Sequence, residues 1–284
     1  MYYAILSAAV IMFGLQFFCN DQYQRLCGNL LPATMRFIGA SSFVGAVILF
    51  AVNSFKLHAT PFTLLMALFT ALNAMIMIYC SAKALGKTNL SMYSLFSMLG
   101  GMALPFAAGL LFFGEAMTLG KGICLVTVFL AMLLTVEKGK SSSGGGIYCL
   151  GIFVFNGMSG VLSKIYESSS YNKTPVSDYS VWSALMTVAL ALVVLFFLRE
   201  KNGKKIPAPA YGWMAGYGVL NKVGNFLLLI SLAHIDASVQ YPMVTGGVMI
   251  VSTLLSYFTP KKPGRREYAA LALSLVGIMM LVIF

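Results

Sequence analysis

Near the end of the chain a lysine stands in the middle of an apolar run. Residues 210–233 read as one hydrophobic helix, and Lys222 lies about twelve residues into it, close to its midpoint. A charge at bilayer depth costs roughly 2.5–3.5 kcal/mol on insertion scales, so such a residue usually faces a cavity and marks function. Asn221 stands beside it and Asn225 follows one turn on, while Gly212, Gly216, Gly218 and Gly224 make the run permissive of close packing or local unwinding. Two further cations fall inside apolar runs, Arg36 in 30–53 and Lys164 near the end of 146–166, and both have stems long enough to reach an interface. Amide, phenol and hydroxyl residues recur at helical spacing elsewhere: Asn156 with Ser159 and Ser163, Thr70 with Asn73, Tyr241 with Thr245, Gln16 with Asn20, and Tyr93 among Ser91, Ser94 and Ser97. Amides are costly to bury unpaired. The candidate substrate-binding set is therefore Lys222, Asn73, Asn221, Asn225, Asn156, Gln16, Tyr241, Arg36, Lys164 and Tyr93. A plainer alternative is a packed helix whose lysine meets a carbonyl, with hydroxyls bonded to their own turn.

These residues need elements that hold them at depth. The chain has 284 residues, 59% hydrophobic and 10% charged, with a mean hydropathy of +0.86. A soluble domain is nearer 45–50% apolar and about 25% charged. A spanning helix takes roughly 20 mainly apolar residues, and ten such runs are present at 2–19, 30–53, 61–82, 89–113, 119–136, 146–166, 178–198, 210–233, 237–258 and 267–284. They are too long for strands, and the short alternating segments of a membrane barrel are missing. The expected fold is all-α and integral to a membrane, with ten transmembrane helices. Residues 2–19 lack a basic lead and a small-residue cleavage site, so they read as a retained helix rather than a signal peptide.

The net charge of +11 is a topology signal. Joins after the first, third, fifth, seventh and ninth runs carry thirteen Lys and Arg, including Lys83, Lys138, Lys204 and Arg266, against three (Lys56, Lys121, Lys173) in the remaining joins. Short basic loops stay in the cytoplasm, which places both termini on the outer side. Nucleic-acid binding is not implied. All eight acids lie in joins or at the ends of runs, so none is placed mid-span to bind a cation or relay a proton. Cys19, Cys27, Cys80, Cys124 and Cys149 form no C-x-x-C pair, and His58 and His234 sit singly at helix ends, so no metal site or disulfide framework is expected. Tyr2, Tyr3, Tyr148, Tyr171, Tyr179 and Tyr211 lie near span ends and read as an aromatic belt. No phosphate-binding G-x-x-x-x-G-K-[ST] loop occurs, and no nucleotide or other cofactor is implied.

The one low-complexity stretch, Ser141-Ser142-Ser143-Gly144-Gly145-Gly146, falls at the midpoint. Gly/Ser runs are flexible linkers. It divides residues 1–140, five helices, from residues 147–284, another five. An odd number of helices per half makes the second half enter from the opposite side, the arithmetic of an inverted repeat. Ala71-Leu72-Asn73 and Val219-Leu220-Asn221 fall at matching places in the two halves.

Two five-helix halves resemble the drug/metabolite transporter superfamily, EamA-like branch. Pro32 through Arg36, the Ala84-Leu85 and Asn89-Leu90-Ser91 join, Pro105 followed by Gly114-Glu115, Gly120 and Gly122, and Lys164 are similar to features of that family. Two departures stand out. Pro263-Gly264 replaces a second Gly-Glu pair, and the charge bias sets both termini outside where the family keeps them in the cytoplasm. The resemblance implies secondary transport or exchange of small metabolites with no ATP site, and the expected protein is an exporter or exchanger working by alternating access, not an enzyme. The sign of the in-span charge points to a neutral, zwitterionic or anionic organic solute such as an amino acid or organic acid. The alternatives are an exporter of cationic drugs or other toxic compounds, which in the small multidrug branch uses an embedded Glu, a polytopic membrane enzyme, and a channel. Expected partners are the solute and the lipid bilayer, with a monomer or dimer in a bacterial inner membrane.

Overall fold

The computed structural model describes residues 1–28, 30–85, 87, 90–135, 145–198, 206–256 and 265–283. Among these there are ten α-helices: α1 Tyr2–Cys27, α2 Leu31–Val52, α3 Pro61–Leu85, α4 Leu90–Phe112, α5 Leu119–Thr135, α6 Gly145–Ser168, α7 Val176–Leu198, α8 Ala208–Leu232, α9 Ala237–Ser256 and α10 Arg265–Ile283. Eight are long and apolar enough to cross a membrane, and α5 and α10 carry shorter apolar stretches, Leu119–Leu134 and Tyr268–Leu281. The 22 residues of α2, at about 1.5 Å per residue, reach about 33 Å, against a hydrocarbon core about 30 Å thick.

The helix ends follow from local chemistry. Pro61 opens α3 and Pro32 lies in the first turn of α2, where a missing N–H costs nothing. Thr60 Oγ1 accepts the Thr63 N–H at 3.3 Å, and Thr118 Oγ1 accepts the Lys121 N–H at 3.3 Å, so threonines cap α3 and α5. Helix α1 runs to Cys27, past its expected end near residue 19. Its polar tail stays helical through Arg25–Asp21 (2.8 Å) and Gln24–Asn20 (3.2 Å) contacts at i,i+4 spacing. Gly28, at φ 76°, then ends it. Of the Gly/Ser stretch, residues 141–144 lie outside the described residues, and Gly145 and Gly146 open α6. Asn89 and Pro263-Gly264 also lie outside them.

Helix α1 packs on α8 and α9, α2 on α7 and α8, α3 on α6 and α7, and α4 on α6 and α9. These eight helices enclose the centre, and α5 and α10 pair with each other outside them, α10 also lying on α9. Several crossings are backbone to backbone. A Cβ on Gly218 would fall on the Ser41 backbone, and one on Gly100 on that of Phe153. Without a hydrophobic drive between helices in lipid, small residues at crossings supply the attraction through close contact.

The joins α2–α3, α4–α5, α6–α7 and α8–α9 share one face with the N-terminus, here the even face. Tyr2 stacks on His234 there, ring centroids 3.6 Å apart. Two core clusters close this end of the molecule. One gathers Phe13, Leu228, Leu232, Ala237 and Tyr241 from α1, α8 and α9. The other gathers Met66, Tyr166, Tyr179 and Leu229 from α3, α6, α7 and α8.

Candidate functional site

Within the ring of eight helices lies a cavity of about 430 Å³. Lys222, the fifteenth of the 25 residues of α8, enters it from near the helix midpoint. Its stem passes over Gly45 of α2, where an added Cβ would fall inside the lysine side chain. Among the described lining residues Lys222 alone is charged, and no Asp or Glu shares the wall. It has no ion-pair or hydrogen-bond partner among the described residues.

Amides stand around it. Asn221 Nδ2 donates to Gln16 Oε1 of α1 at 2.8 Å, and Asn225 Nδ2 donates to the Asn221 carbonyl at 2.7 Å. Across the cavity Asn156 of α6 donates to the Ser97 carbonyl and hydroxyl of α4. The phenol of Tyr241 donates to the Gly160 carbonyl at 3.1 Å. Lys222, Asn221, Asn225, Asn156, Gln16 and Tyr241 thus line one cavity. Asn73 stands behind the wall. It clamps α3 to α6 through the Phe155 carbonyl and Ser159 Oγ, both at 2.8 Å, and its buried Oδ1 has no partner. Arg36 and Lys164 are not in the lining, and the Tyr93 side chain lies outside the described residues.

A wall on α7 went unread in the sequence. Tyr179, Ser180, Ser183 and Thr187 all line the cavity. Tyr179 is 2% exposed and stacks on Tyr166 with centroids 3.9 Å apart, so it belongs to the cavity floor and not to the aromatic belt. The inward direction follows from the helix: Tyr179, Ser183 and Thr187 recur every fourth residue, a polar stripe that the run of aliphatic residues after it obscured. The stripe has a defined hydrogen-bonding sense. Ser180 donates to the Val176 carbonyl (2.8 Å), Ser183 to Ser180 (3.0 Å) and Thr187 to Ser183 (2.7 Å). On α3, Thr70 donates to the Met66 carbonyl at 2.9 Å and so receives the Tyr179 hydroxyl at 2.7 Å. With their protons committed to backbone, these hydroxyls present lone pairs to the cavity.

The even end is held shut by polar contacts between sequence-distant segments. Glu115, in the α4–α5 join, pairs with Lys164 of α6 at 3.0 Å, with side-chain exposures of 4% and 13%. Its two oxygens also accept the first free N–H groups of α9, from Ala237 (2.7 Å) and Ser238 (2.8 Å). Burial pushes the Glu115 carboxyl up, but hydrogen bonds from Ser238, Lys164 and Ala237 outweigh it and leave the group below its ordinary value. The chain is shaped for this: Gly114 turns it at φ 66°, the Glu115 N–H donates to the Gly109 carbonyl at 3.0 Å, and a Cβ on Gly109 would occupy the place of the carboxylate. Nearby, Lys121 bridges Asp236 and the Ala116 carbonyl, each at 2.8 Å. On the other side of the face, buried Asp178 of α7 accepts from Asn53 and from the His58 N–H (3.2 Å) in the α2–α3 join.

Residues 143–283 match the EamA-like transporter family. A crystal structure of a protein superposes with a TM-score of 0.80 at 14% identity, covering 99% of this chain and 96% of that one, which shows a shared fold. No curated protein matches the chain in sequence.

Proposed function

Since the chain belongs, through its second half, to the EamA-like transporter family of membrane transporters, we propose that it moves one small organic solute at a time through the central cavity by alternating access. The solute is neutral, zwitterionic or anionic, an amino acid or organic acid in size and chemistry. The observation that carries this reading is Lys222: an ammonium at mid-helix in a cavity of mixed polar and apolar lining, with no acid and no ion-pair partner among the described residues. Such a group favours a carboxylate over an organic cation. The lone-pair wall of α7 complements N–H or O–H groups at the other end of the same solute, and Phe13, Met77 and Leu229 offer apolar surface between them.

Alternating access calls for two units that rock against each other, and we read residues 1–140 and 147–284 as inverted repeats of five helices. The packing supports this: replacing each helix by the one five places on turns α1 against α8 into α6 against α3, and α2 against α8 into α7 against α3, all of which occur. Asn73 reaching to α6 and Asn221 reaching to α1 are the same bridge in the two halves. The thirteen-to-three distribution of Lys and Arg favours the even face as the outer one.

The test is uptake by purified protein in liposomes. Saturable uptake of a labelled amino or organic acid, competed by unlabelled carboxylates and untouched by quaternary ammonium compounds, is the expected result. Competition by organic cations alone would replace this reading with cation export.

A further inference from the structure

An unpaired ammonium constrains the return of the empty carrier. Among the described residues the walls around Lys222 hold no counter-charge: α1 presents Gln16 and Asn20, α2 presents Ser42, α7 presents hydroxyls, α8 presents Asn221 and Asn225, and α9 presents Thr245, while Gly45 of α2 lies bare against the lysine stem. Titratable neighbours in the lining are the phenols of Tyr179, Tyr217 and Tyr241, which are neutral near pH 7. Asn221 gives one amide proton to Gln16 and Asn225 gives one to the Asn221 carbonyl. Beneath the cavity the even end is sealed by the Glu115–Lys164 pair and the Tyr241–Gly160 contact.

Passage between the two facing states requires a moment with both ends shut. With an anionic solute against Lys222 the cavity then holds a neutral pair; with a zwitterion the Lys222 charge is still paired with a carboxylate, and the solute's own ammonium meets the lone pairs of α7. With neither, it holds a lone cation, served only by whatever water the closed cavity keeps. Isolated charges in low-dielectric surroundings are strongly disfavoured, whereas a paired, hydrogen-bonded charge is tolerated. We infer that the protein is an obligatory exchanger, in which the carboxylate-loaded carrier crosses and the empty carrier does not. This rests on the carboxylate reading of the Lys222 cavity. It makes the export of one solute conditional on the entry of another of the same charge class, and it assigns Lys222 the role of the residue that forbids the empty return.

The experiment measures entry of a radiolabelled amino-acid mixture and of radiolabelled lactate into liposomes containing the full-length protein, either empty or preloaded with the same compounds unlabelled. Preloading raises initial uptake at least tenfold in the wild type. Lys222→Gln, one bond shorter and without charge, brings the ratio of preloaded to empty vesicles close to one, and Lys222→Arg keeps it high. A merely structural lysine would lower both rates together and leave the ratio alone. Equal wild-type entry into empty and preloaded vesicles would leave transport standing and overturn obligatory exchange. Entry into empty vesicles that rises when only the outside is acidified would overturn it too, in favour of an empty carrier that returns by releasing the lysine proton. If neither label enters any vesicle, the carboxylate reading fails and exchange falls with it.

Discussion

Glu115 meets groups from two other helices with one carboxylate, and its removal leaves each of them stranded. Glu115→Ala exposes the Lys164 ammonium and the Ala237 and Ser238 N–H groups to an unsatisfied, half-buried end. The expected loss is about 3 kcal/mol, the scale for breaking a buried pair by removing one partner. It is read as a lower unfolding temperature in detergent. Lys164→Met, which removes one contact and keeps apolar bulk, should cost less. The pH dependence has a definite sign. Because the folded carboxyl lies below its ordinary value of 4.5, its contribution is complete above that pH. It is lost as the pH falls through the lower folded value. Unfolding temperature should therefore drop below pH 4.5 more steeply in wild type than in Glu115→Gln, and the two should run parallel at neutral pH. Sequence showed Glu115 as half of a Gly-Glu pair but not its task, since Ala237 lies 122 residues away. Lys222 was legible because a charge in an apolar run needs no knowledge of its neighbours to stand out. Asn73 and Tyr179 were not assignable: whether a polar side chain faces a cavity or a helix behind it depends on rotation about the helix, which apolar lipid-facing and core-facing residues leave undetermined.

At the scale of elements, the helices were readable as apolar runs, and eight of the ten expected spans are long and apolar enough to cross a membrane, while α5 and α10 carry shorter apolar stretches. Helix ends moved where side-chain pairs extended a helix, as at Arg25 and Asp21 of α1. Which helix touches which could not be read, because that choice is made at small residues scattered through every run. Gly218, against the Ser41 backbone, and Gly157, against the Gly100 carbonyl and Leu104, are two such points. A Cβ has no room at either, and overpacking costs about 1–3 kcal/mol, so Gly218→Val and Gly157→Val should each unfold several degrees earlier. Gly212→Ala, with nothing near its Cβ, is the control and should be neutral. Gly45→Ala is the informative case: its methyl displaces the Lys222 stem, so it should weaken solute binding more than it weakens the fold.

For the whole molecule, the polar contacts on the even face join the first half to the second: Glu115 to Lys164 and α9, Lys121 to Asp236, Asn53 and His58 to Asp178. Under the proposed alternating access these contacts would have to break together, and that face would act as a latch. Charge distribution predicts it to be the outer face. Alkaline phosphatase fused at the C-terminus should then be active, and the same enzyme inserted within 141–146 inactive; the reverse pattern would invert the orientation and leave the cavity argument untouched. These contacts could not be read in the sequence, because all but the Glu115–Lys164 pair join residues more than 100 positions apart. The central claim is that Lys222 holds a carboxylate in the cavity, and ligand-induced thermal stabilisation tests it most directly. At 100 times its dissociation constant a ligand stabilises the native state by about 2.7 kcal/mol. The account predicts that amino or organic acids raise the unfolding temperature of the wild-type protein and do not raise that of Lys222→Ala. Equal stabilisation of both proteins, or stabilisation by organic cations alone, would contradict it.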